Sequence, residues 1–233
     1  LQQGQQGSQS QLKPGPLAQL VRHHDERALE LYLLILAAAS APPYDVTHPA
    51  RVWARVLFLE GNSGPAAISK TLARLEAYRL IRRERVGRLT RVVLLRENGS
   101  GEPYTHPATS TPPEPYLQLP HAYWLEGWHR TLTLPGKAVL LIALSLASQF
   151  LLPGEQAKAW YGISADTVQT GLRELRQAGL LDSRPVYKLA PLSAEGVTTE
   201  WRHTLRSPFG HRRPRSASAL SAPPASASAE IVL

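Results

Sequence analysis

Apolar residues recur in the same order in two parts of the chain. The segment 68–81 aligns without gaps on the segment 168–181 at an offset of 100 residues, and the coinciding apolar positions are Ile68 and Val168, Leu72 and Leu172, Leu75 and Leu175, Leu80 and Leu180, and Ile81 and Leu181. Upstream, the apolar segment 31–40 matches the segment 139–148. Two matching helices in the same order indicate a duplicated domain.

The spacing of the apolar residues predicts three helices in each part, because each set falls on one buried stripe. We expect these helices at residues 26–40, 48–59 and 65–78, and again at residues 135–149, 153–161 and 165–178. Ser63 and Ser164 stand where the N-caps of the third helix of each set are expected. Because its apolar stripe faces the core, the third helix of each set is expected to present its opposite face outward, where it is free for contacts.

A β-hairpin is predicted after each third helix. In the first part, two β-prone runs within residues 80–95 flank a turn near Gly87. The corresponding strands of the second part are less regular and fall near 180–189 and 198–205. An additional strand is predicted at 116–123.

Composition divides the chain into two domains with three polar segments around them. We predict disordered residues at 1–16, a first domain at 17–98, a flexible linker at 99–115, a second domain at 116–206 and a disordered tail at 207–233. The linker carries five prolines, which indicates an extended connection. We therefore expect few contacts between the domains, and each domain to fold separately.

The second part carries the clearest family pattern. A small helix ends at Gly162, Ser164 precedes the next helix, and the run from Thr167 leads through a Leu-x-x-Leu stripe to Gly179. This pattern resembles the winged helix-turn-helix superfamily of bacterial DNA-binding regulators. The resemblance implies a mostly α fold with small β wings (α+β), in which two winged helix-turn-helix domains stand in tandem. The first part departs from the pattern at Tyr78-Arg79, which predicts an altered turn there.

The charge of the chain favours a polyanionic partner. The formal net charge is +8 and the sequence pI is near 10, so the partner suggested is double-stranded DNA. A helix in the major groove reads bases with its outward face and its first turn. The candidate contacts on the two third helices are Ser63, Ser69, Lys70 and Arg74 in the first domain, and Ser164, Thr167, Gln169, Thr170 and Arg173 in the second.

The first hairpin supplies the second group of candidate contacts. Its arginines are opposed locally only by Glu84 and are suited to the phosphate backbone or a narrow minor groove: Arg82, Arg83, Arg85, Arg88 and Arg91, with Arg79 just before them. Residues 17–98 hold 13 basic and 8 acidic groups, against 9 and 7 in residues 116–206. The first domain is therefore the expected stronger DNA binder.

Several classes of protein are disfavoured. The chain has no cysteine, which excludes disulfides and thiolate zinc sites. The longest apolar run, at 138–152, is 15 residues, which is short for a membrane span. Gly136-Lys137 lacks the other residues of a phosphate-binding loop, and no motif indicates catalysis. We therefore expect no enzyme activity, cofactor or metal, and no contact with a membrane. No export leader is visible, and we expect the natural start to lie upstream of Leu1.

The sequence thus favours a sequence-specific DNA-binding protein, most simply a bacterial transcriptional regulator of the cytoplasm and nucleoid. One alternative is a plasmid replication initiator or partition protein that binds origin repeats. An alternative of another class is a winged-helix protein-interaction module, a role still open to the second domain. Whether the chain acts as a homodimer is also open.

Overall fold

The computed structural model describes residues 15–59, 61, 63–106, 117–189, 197–210 and 231–232. Most of the predicted disordered ends, and the later part of the predicted linker, lie outside these residues. Two halves follow each other along the described chain. The first half comprises residues 15–106, and the second half comprises residues 117–210 together with 231–232.

The first half contains helices and a three-stranded antiparallel sheet. Its elements are α1 (Pro16–Arg22), α2 (Glu26–Ala38), β1 (Asp45–Thr47), α3 (Ala50–Val56), α4 (Gly64–Ala77), β2 (Ile81–Val86) and β3 (Leu89–Leu94). The strand order is β1-β3-β2, with β3 antiparallel to both neighbours. Asp25 is the N-cap of α2, because its side chain accepts a hydrogen bond from the Ala28 N–H at 3.2 Å.

The second half repeats the helix trio and ends in a longer hairpin. Its elements are β4 (Gln118–Leu119), α5 (Ala122–Leu125), α6 (Trp128–Thr131), α7 (Leu134–Ser145), α8 (Gly154–Tyr161), α9 (Ala165–Gln177), β5 (Leu181–Leu189), β6 (Val197–Leu205) and β7 (Ile231–Val232). Strands β5 and β6 pair with each other, and β4 pairs with β7. Helix α9 packs tightly against α7 at Gly171, where a Cβ would lie 2.5 Å from the carbonyl oxygen of Pro135.

The regular elements agree with the prediction. All six predicted helices are present, with ends that differ from the predicted ones by at most four residues, and both hairpins form. The mixed α+β architecture expected from the sequence is therefore confirmed. The strand predicted at 116–123 is confirmed only at Gln118–Leu119, and residue 116 lies outside the described residues. Strand β4 ends at Leu119 because Pro120 has no N–H for the ladder and the chain continues into α5.

The turn that follows α4 is not altered, contrary to the expectation from Tyr78-Arg79. Arg79 has φ +57° and Gly179 has φ +72°, so both chains pass through the left-handed region at this point. The Leu80 N–H donates to the carbonyl of Leu75 at 3.1 Å, and the Leu180 N–H donates to that of Leu175 at 2.9 Å. The same turn is therefore made by an arginine in one half and a glycine in the other.

A single apolar cluster runs through both halves, and helix α7 is at its centre. Consecutive residues of α7 from Gly136 to Ala143 are all buried, which explains the apolar run that the sequence shows there. None of the helices in the described ranges has both the length and the apolar character needed to cross a bilayer. Helix α1 packs against α7 and so joins the first half to the second.

A buried ionic contact also joins the halves. The Lys137 side chain is 2% exposed, and its Nζ lies 2.6 Å from Oε1 of Glu26 and 2.9 Å from Oε1 of Glu30. The Tyr123 hydroxyl donates to the same Glu30 oxygen at 2.5 Å, and burial together with the negative charge of Glu30 raises the pKa of Tyr123. The expectation of few contacts between the domains is therefore corrected, since α7 carries a lysine that reaches α2.

Ordered residues extend past the predicted domain boundaries. Within the predicted linker, Tyr104 is buried, its N–H donates to the Leu94 carbonyl at 3.3 Å, and its ring packs edge-on against Tyr44. Past residue 206, Phe209 is buried and packs against Trp128. Aromatic side chains therefore anchor both segments, which composition alone assigned to linker and tail.

Candidate nucleic-acid interface

Helix α4 is fixed by a buried stripe and presents an outward face. Ile68, Leu72 and Leu75 are buried, and the opposite side is open. Ser63 occupies the N-cap position without a side-chain capping bond, and the Ser69 hydroxyl donates back to the Pro65 carbonyl at 3.0 Å. These two predicted contacts are thus exposed, but Ser69 is satisfied within its own helix.

Lys70 and Arg74 have different environments on α4. Lys70 is exposed and forms no ion pair within the described chain. The Arg74 guanidinium donates from Nε and Nη2 to the two carboxylate oxygens of Asp25, at 2.5 and 2.9 Å. These hydrogen bonds raise the pKa of Arg74 and tie α4 to the start of α2. The structure therefore places Arg74 in a contact between helices, whereas Lys70 stays open to a ligand.

Three arginines of the first hairpin are paired with carboxylates. Arg82 binds Glu84 at 2.7 Å, and Arg83 binds Glu76 of α4 at 2.6 Å. Burial opposes ionisation of Glu76, but the bonds from Arg83 outweigh it and lower the pKa of Glu76. The expectation that only Glu84 opposes these arginines is corrected, since α4 also supplies a carboxylate.

Arg91 is the third paired arginine, and its partners come from two strands. It binds Asp45 on β1, and its Nη1 lies 3.6 Å from Oε2 of Glu84. The Asp45 hydrogen bonds raise the pKa of Arg91. Because β1 is distant in sequence, the local pattern of charges around the hairpin does not reveal this pairing.

The tip of the first hairpin carries two arginines without a carboxylate partner. Arg85 and Arg88 are exposed on either side of the turn at Gly87, which has φ +60°. The Arg85 Nε donates only to the Gly87 carbonyl at 3.2 Å, and neither arginine has a carboxylate partner among the residues described. Both therefore remain available to a phosphate.

Two further arginines were missed by the sequence interpretation. Arg51 and Arg55 lie on the exposed side of α3 and line a cleft of about 560 Å³ that also reaches Gly61 and Pro65, at the start of α4. Neither has an ion-pair partner in the described part of the chain. Their i, i+4 spacing opposite the buried Trp53 was the available signal.

In the second half, α9 is capped as predicted. The Ser164 hydroxyl accepts a hydrogen bond from the Thr167 N–H at 3.1 Å and lies 2.8 Å from the Thr167 hydroxyl. Gln169 and Arg173 are exposed, and Thr170 is half-buried with its hydroxyl 3.5 Å from Nη2 of Arg173. Ser164, Thr167, Gln169, Thr170 and Arg173 are thus polar residues on the side of α9 away from the buried Val168 and Leu172.

The described residues hold no group of three or more histidine, cysteine, aspartate or glutamate side chains arranged to bind a metal. The candidate surface presents guanidinium, ammonium, hydroxyl and amide groups, which are the groups that contact phosphates and base edges in DNA-binding proteins. Comparison of the chain with protein-family models, with curated proteins and with solved structures gave no match.

Proposed function

We propose that this chain is a sequence-specific double-stranded DNA-binding protein with two winged helix-turn-helix domains, and that it acts as a bacterial transcriptional regulator. One observation carries the proposal. Five cations on α3, α4 and the tip of the first hairpin are exposed and have no ion-pair partner among the described residues: Arg51, Arg55, Lys70, Arg85 and Arg88. Unpaired cations on successive elements suit a polyanion better than isolated ligands.

Each cation has a role in this proposal. Helix α4 enters the major groove, where Lys70 contacts a base edge. Arg51 and Arg55 bind phosphates in the cleft that they line beside the start of α4. The hairpin tip lies on the neighbouring backbone or in the minor groove through Arg85 and Arg88. On the second half, α9 offers Thr167, Gln169, Thr170 and Arg173 to a second contact.

The proposal is tested by the salt dependence of binding. Selection from a random pool of duplexes gives the preferred site, and fluorescence anisotropy then gives its affinity for the full chain. Four arginine–phosphate contacts predict a slope of log affinity on log salt near −3.6, at about −0.9 for each contact. Failure to bind any duplex, or an affinity that does not depend on the salt concentration, would exclude the proposal. The spacing of selected half-sites also tells a homodimer from a monomer.

Arg88 and Arg83 form a matched pair for the second test, since both are arginines of the same hairpin. Arg88 is unpaired, whereas Arg83 is held by Glu76. Arg88→Ala should flatten the salt slope by about one unit for every duplex sequence, and Arg83→Ala should leave it nearly unchanged. Equal slopes for the two variants would mean that the hairpin tip does not contact the backbone.

Lys70→Ala tests the base contact separately. If Lys70 reads a base edge, its loss should relax the preference at one position of the selected site by about 1–3 kcal/mol. The salt slope should change less than in Arg88→Ala. A uniform loss across all sequences would instead place Lys70 on a phosphate.

A further inference from the structure

A groove of about 700 Å³ lies along α9 in the second half. Two tryptophans from different elements line it: Trp160 near the end of α8 and Trp201 on β6. Trp160 is 53% exposed and Trp201 is 50% exposed, so each indole keeps open surface. We call this feature the α9 groove. Half-exposed tryptophans on one concave surface indicate a binding site, because such rings are costly to leave in water.

Unpaired positive charge lines the same groove. Arg173 and Arg176 both contribute to it, and neither forms an ion pair within the described ranges. Arg176 donates from Nε only to the Leu172 carbonyl, at 3.2 Å. The one acidic residue of the lining, Glu200, is paired with Lys188 at 2.6 Å. The groove therefore favours an anionic ligand.

His203 is the remaining titratable group of the lining, and it is neutral. It is buried, and burial together with the charge of Arg176 lowers the pKa of His203 to about 4. Gln156, Gln169 and Thr199 add uncharged hydrogen-bonding groups to the lining. The α9 groove thus combines open aromatic rings, two free guanidinium groups and neutral polar side chains.

The apolar surface continues beyond the groove along the second hairpin. Trp201 is directly opposite Pro185, and Leu189 is directly opposite Val197. Since side chains alternate between the two faces of a strand, Pro185, Tyr187 and Leu189 share the face of Trp201. Tyr187 is 71% exposed and Leu189 is 87% exposed. An extended ligand can therefore leave the groove along this face.

We propose that the α9 groove binds single-stranded nucleic acid. Bases stack on the indoles of Trp160 and Trp201, and phosphates pair with Arg173 and Arg176. Stacking on aromatic rings beside cations is how proteins hold single strands without reading their sequence. A duplex cannot use these rings, because its base faces are already stacked inside the helix. The site is therefore additional to the proposed duplex-binding surface of the first half, and it shares Gln169 and Arg173 with the second duplex contact proposed for α9.

The test measures the anisotropy of labelled 20-nucleotide oligo-dT and oligo-rU with the full chain. Trp160→Ala and Trp201→Ala should each weaken binding of the preferred oligonucleotide at least fivefold, the loss expected for one stacked base. Phe58→Ala is the control, since Phe58 is an exposed aromatic residue of the first half; it should leave the affinity within twofold. The two oligonucleotides distinguish DNA from RNA as the strand.

A charge variant gives an independent readout. Arg176→Gln should flatten the salt slope for the single strand by about 0.7, the value for one phosphate of a single strand. Arg184→Gln is the matched control, because Arg184 lies on β5 outside the groove and pairs with Asp182. Affinity for the duplex is measured with the same variants and should be unchanged by both tryptophan substitutions. Loss of duplex binding by the unsubstituted chain would therefore count against the duplex proposal alone, and loss of oligonucleotide binding against the single-strand proposal alone.

Two results would overturn the proposal. One is the absence of oligonucleotide binding, or binding that neither tryptophan variant weakens. The other is self-association, measured by sedimentation equilibrium, that Trp201→Ala abolishes while oligonucleotide affinity stays unchanged; the groove would then be an interface between copies of this chain. If a tryptophan variant fails to give a cooperative melt, the salt slopes of single-strand binding by Arg176→Gln and Arg184→Gln test the proposal instead. Equal slopes for these two variants would then overturn it.

Discussion

The two halves share a helix trio and the turn that follows it, yet their hairpins differ. In the first half, strands β2 and β3 are six residues long and β1 pairs beside them. In the second half, β5 and β6 are nine residues long and pair only with each other among the described strands. The first hairpin carries arginines at its tip, and the second carries an exposed apolar face. The repeated helices therefore form a common scaffold, and the hairpins are where the two halves differ most.

The halves also show that net charge and available charge are different quantities. The first half has the larger excess of basic residues, but Arg74, Arg83 and Arg91 are paired with carboxylates from other elements. The second half has a smaller excess, yet Arg173 and Arg176 lack carboxylate partners within the described chain. Composition therefore does not show which cations are available to a ligand, and affinity for each ligand is the quantity to compare.

The largest expected effect comes from the contact that joins the halves. Lys137→Met removes the cation that compensates Glu30, which is 6% exposed, and so leaves a buried carboxylate without its partner. Breaking a buried ion pair in this way costs about 3–5 kcal/mol. Urea denaturation of the full chain measures the loss, and separation into two transitions would show that the halves then unfold independently.

Lys188→Met is the control for this variant, because Lys188 pairs with Glu200 on an exposed hairpin. An exposed pair contributes about 1 kcal/mol or less. A double variant, Lys137→Met with Glu30→Gln, removes the buried charge as well and should recover part of the stability. If Lys137→Met costs no more than Lys188→Met, the junction contributes little and the halves are better treated as separate domains.

Features set by local pattern could be predicted, and features set by long-range contacts could not. The stripe of Ile68, Leu72 and Leu75 defines α4 and its outward face because helical periodicity is local. The pairing of Arg74 with Asp25 depends on where α2 lies, and no spacing in the sequence indicates it. For the same reason the sequence does not indicate the role of Lys137. Its neighbour Gly136 suggests only an incomplete phosphate-binding loop, whereas in the structure Lys137 is a buried partner of glutamates on α2. Lys70 and the hairpin tip are exposed, as their local pattern predicts, and they form no ion pair with the described residues.

The next effect concerns a position where the halves differ inside the core. The hairpins are in the same register, since Ile81 pairs with Leu94 and Leu181 pairs with Leu205. Val92 in the first half therefore corresponds to His203 in the second. Burial lowers the pKa of His203 to about 4, below the ordinary value of about 6.5. The unfolded chain thus takes up a proton at a pH where the folded chain does not.

The sign of the pH dependence follows from this difference. The contribution of neutral His203 is complete above pH 6.5 and decreases as the pH falls toward 4, so stability rises with pH in that window. Between pH 7.5 and 5 the loss should be about 2 kcal/mol, since the slope approaches 1.36 kcal/mol for each pH unit once the unfolded histidine is protonated. His203→Val, which copies the first half, should remove this dependence in urea titrations at several pH values. A slope that persists in the variant would assign it to other groups.

The smallest effect tests the turn that both halves share. Arg79 holds a left-handed conformation that costs an ordinary residue about 1–2 kcal/mol, whereas Gly179 adopts it without that cost. Arg79→Gly should therefore stabilise the chain by about 0.5–1 kcal/mol, since the gain is offset by the greater freedom of glycine in the unfolded chain. Gly179→Ala should destabilise it by about 1 kcal/mol, and by strain alone, because no atom lies within 4 Å of the added Cβ. Urea midpoints of the two variants measure both changes. A gain of stability in Arg79→Gly together with a loss in Gly179→Ala would show that both halves make the same left-handed turn. A loss of stability in Arg79→Gly would show that the arginine side chain contributes more than its backbone strain costs.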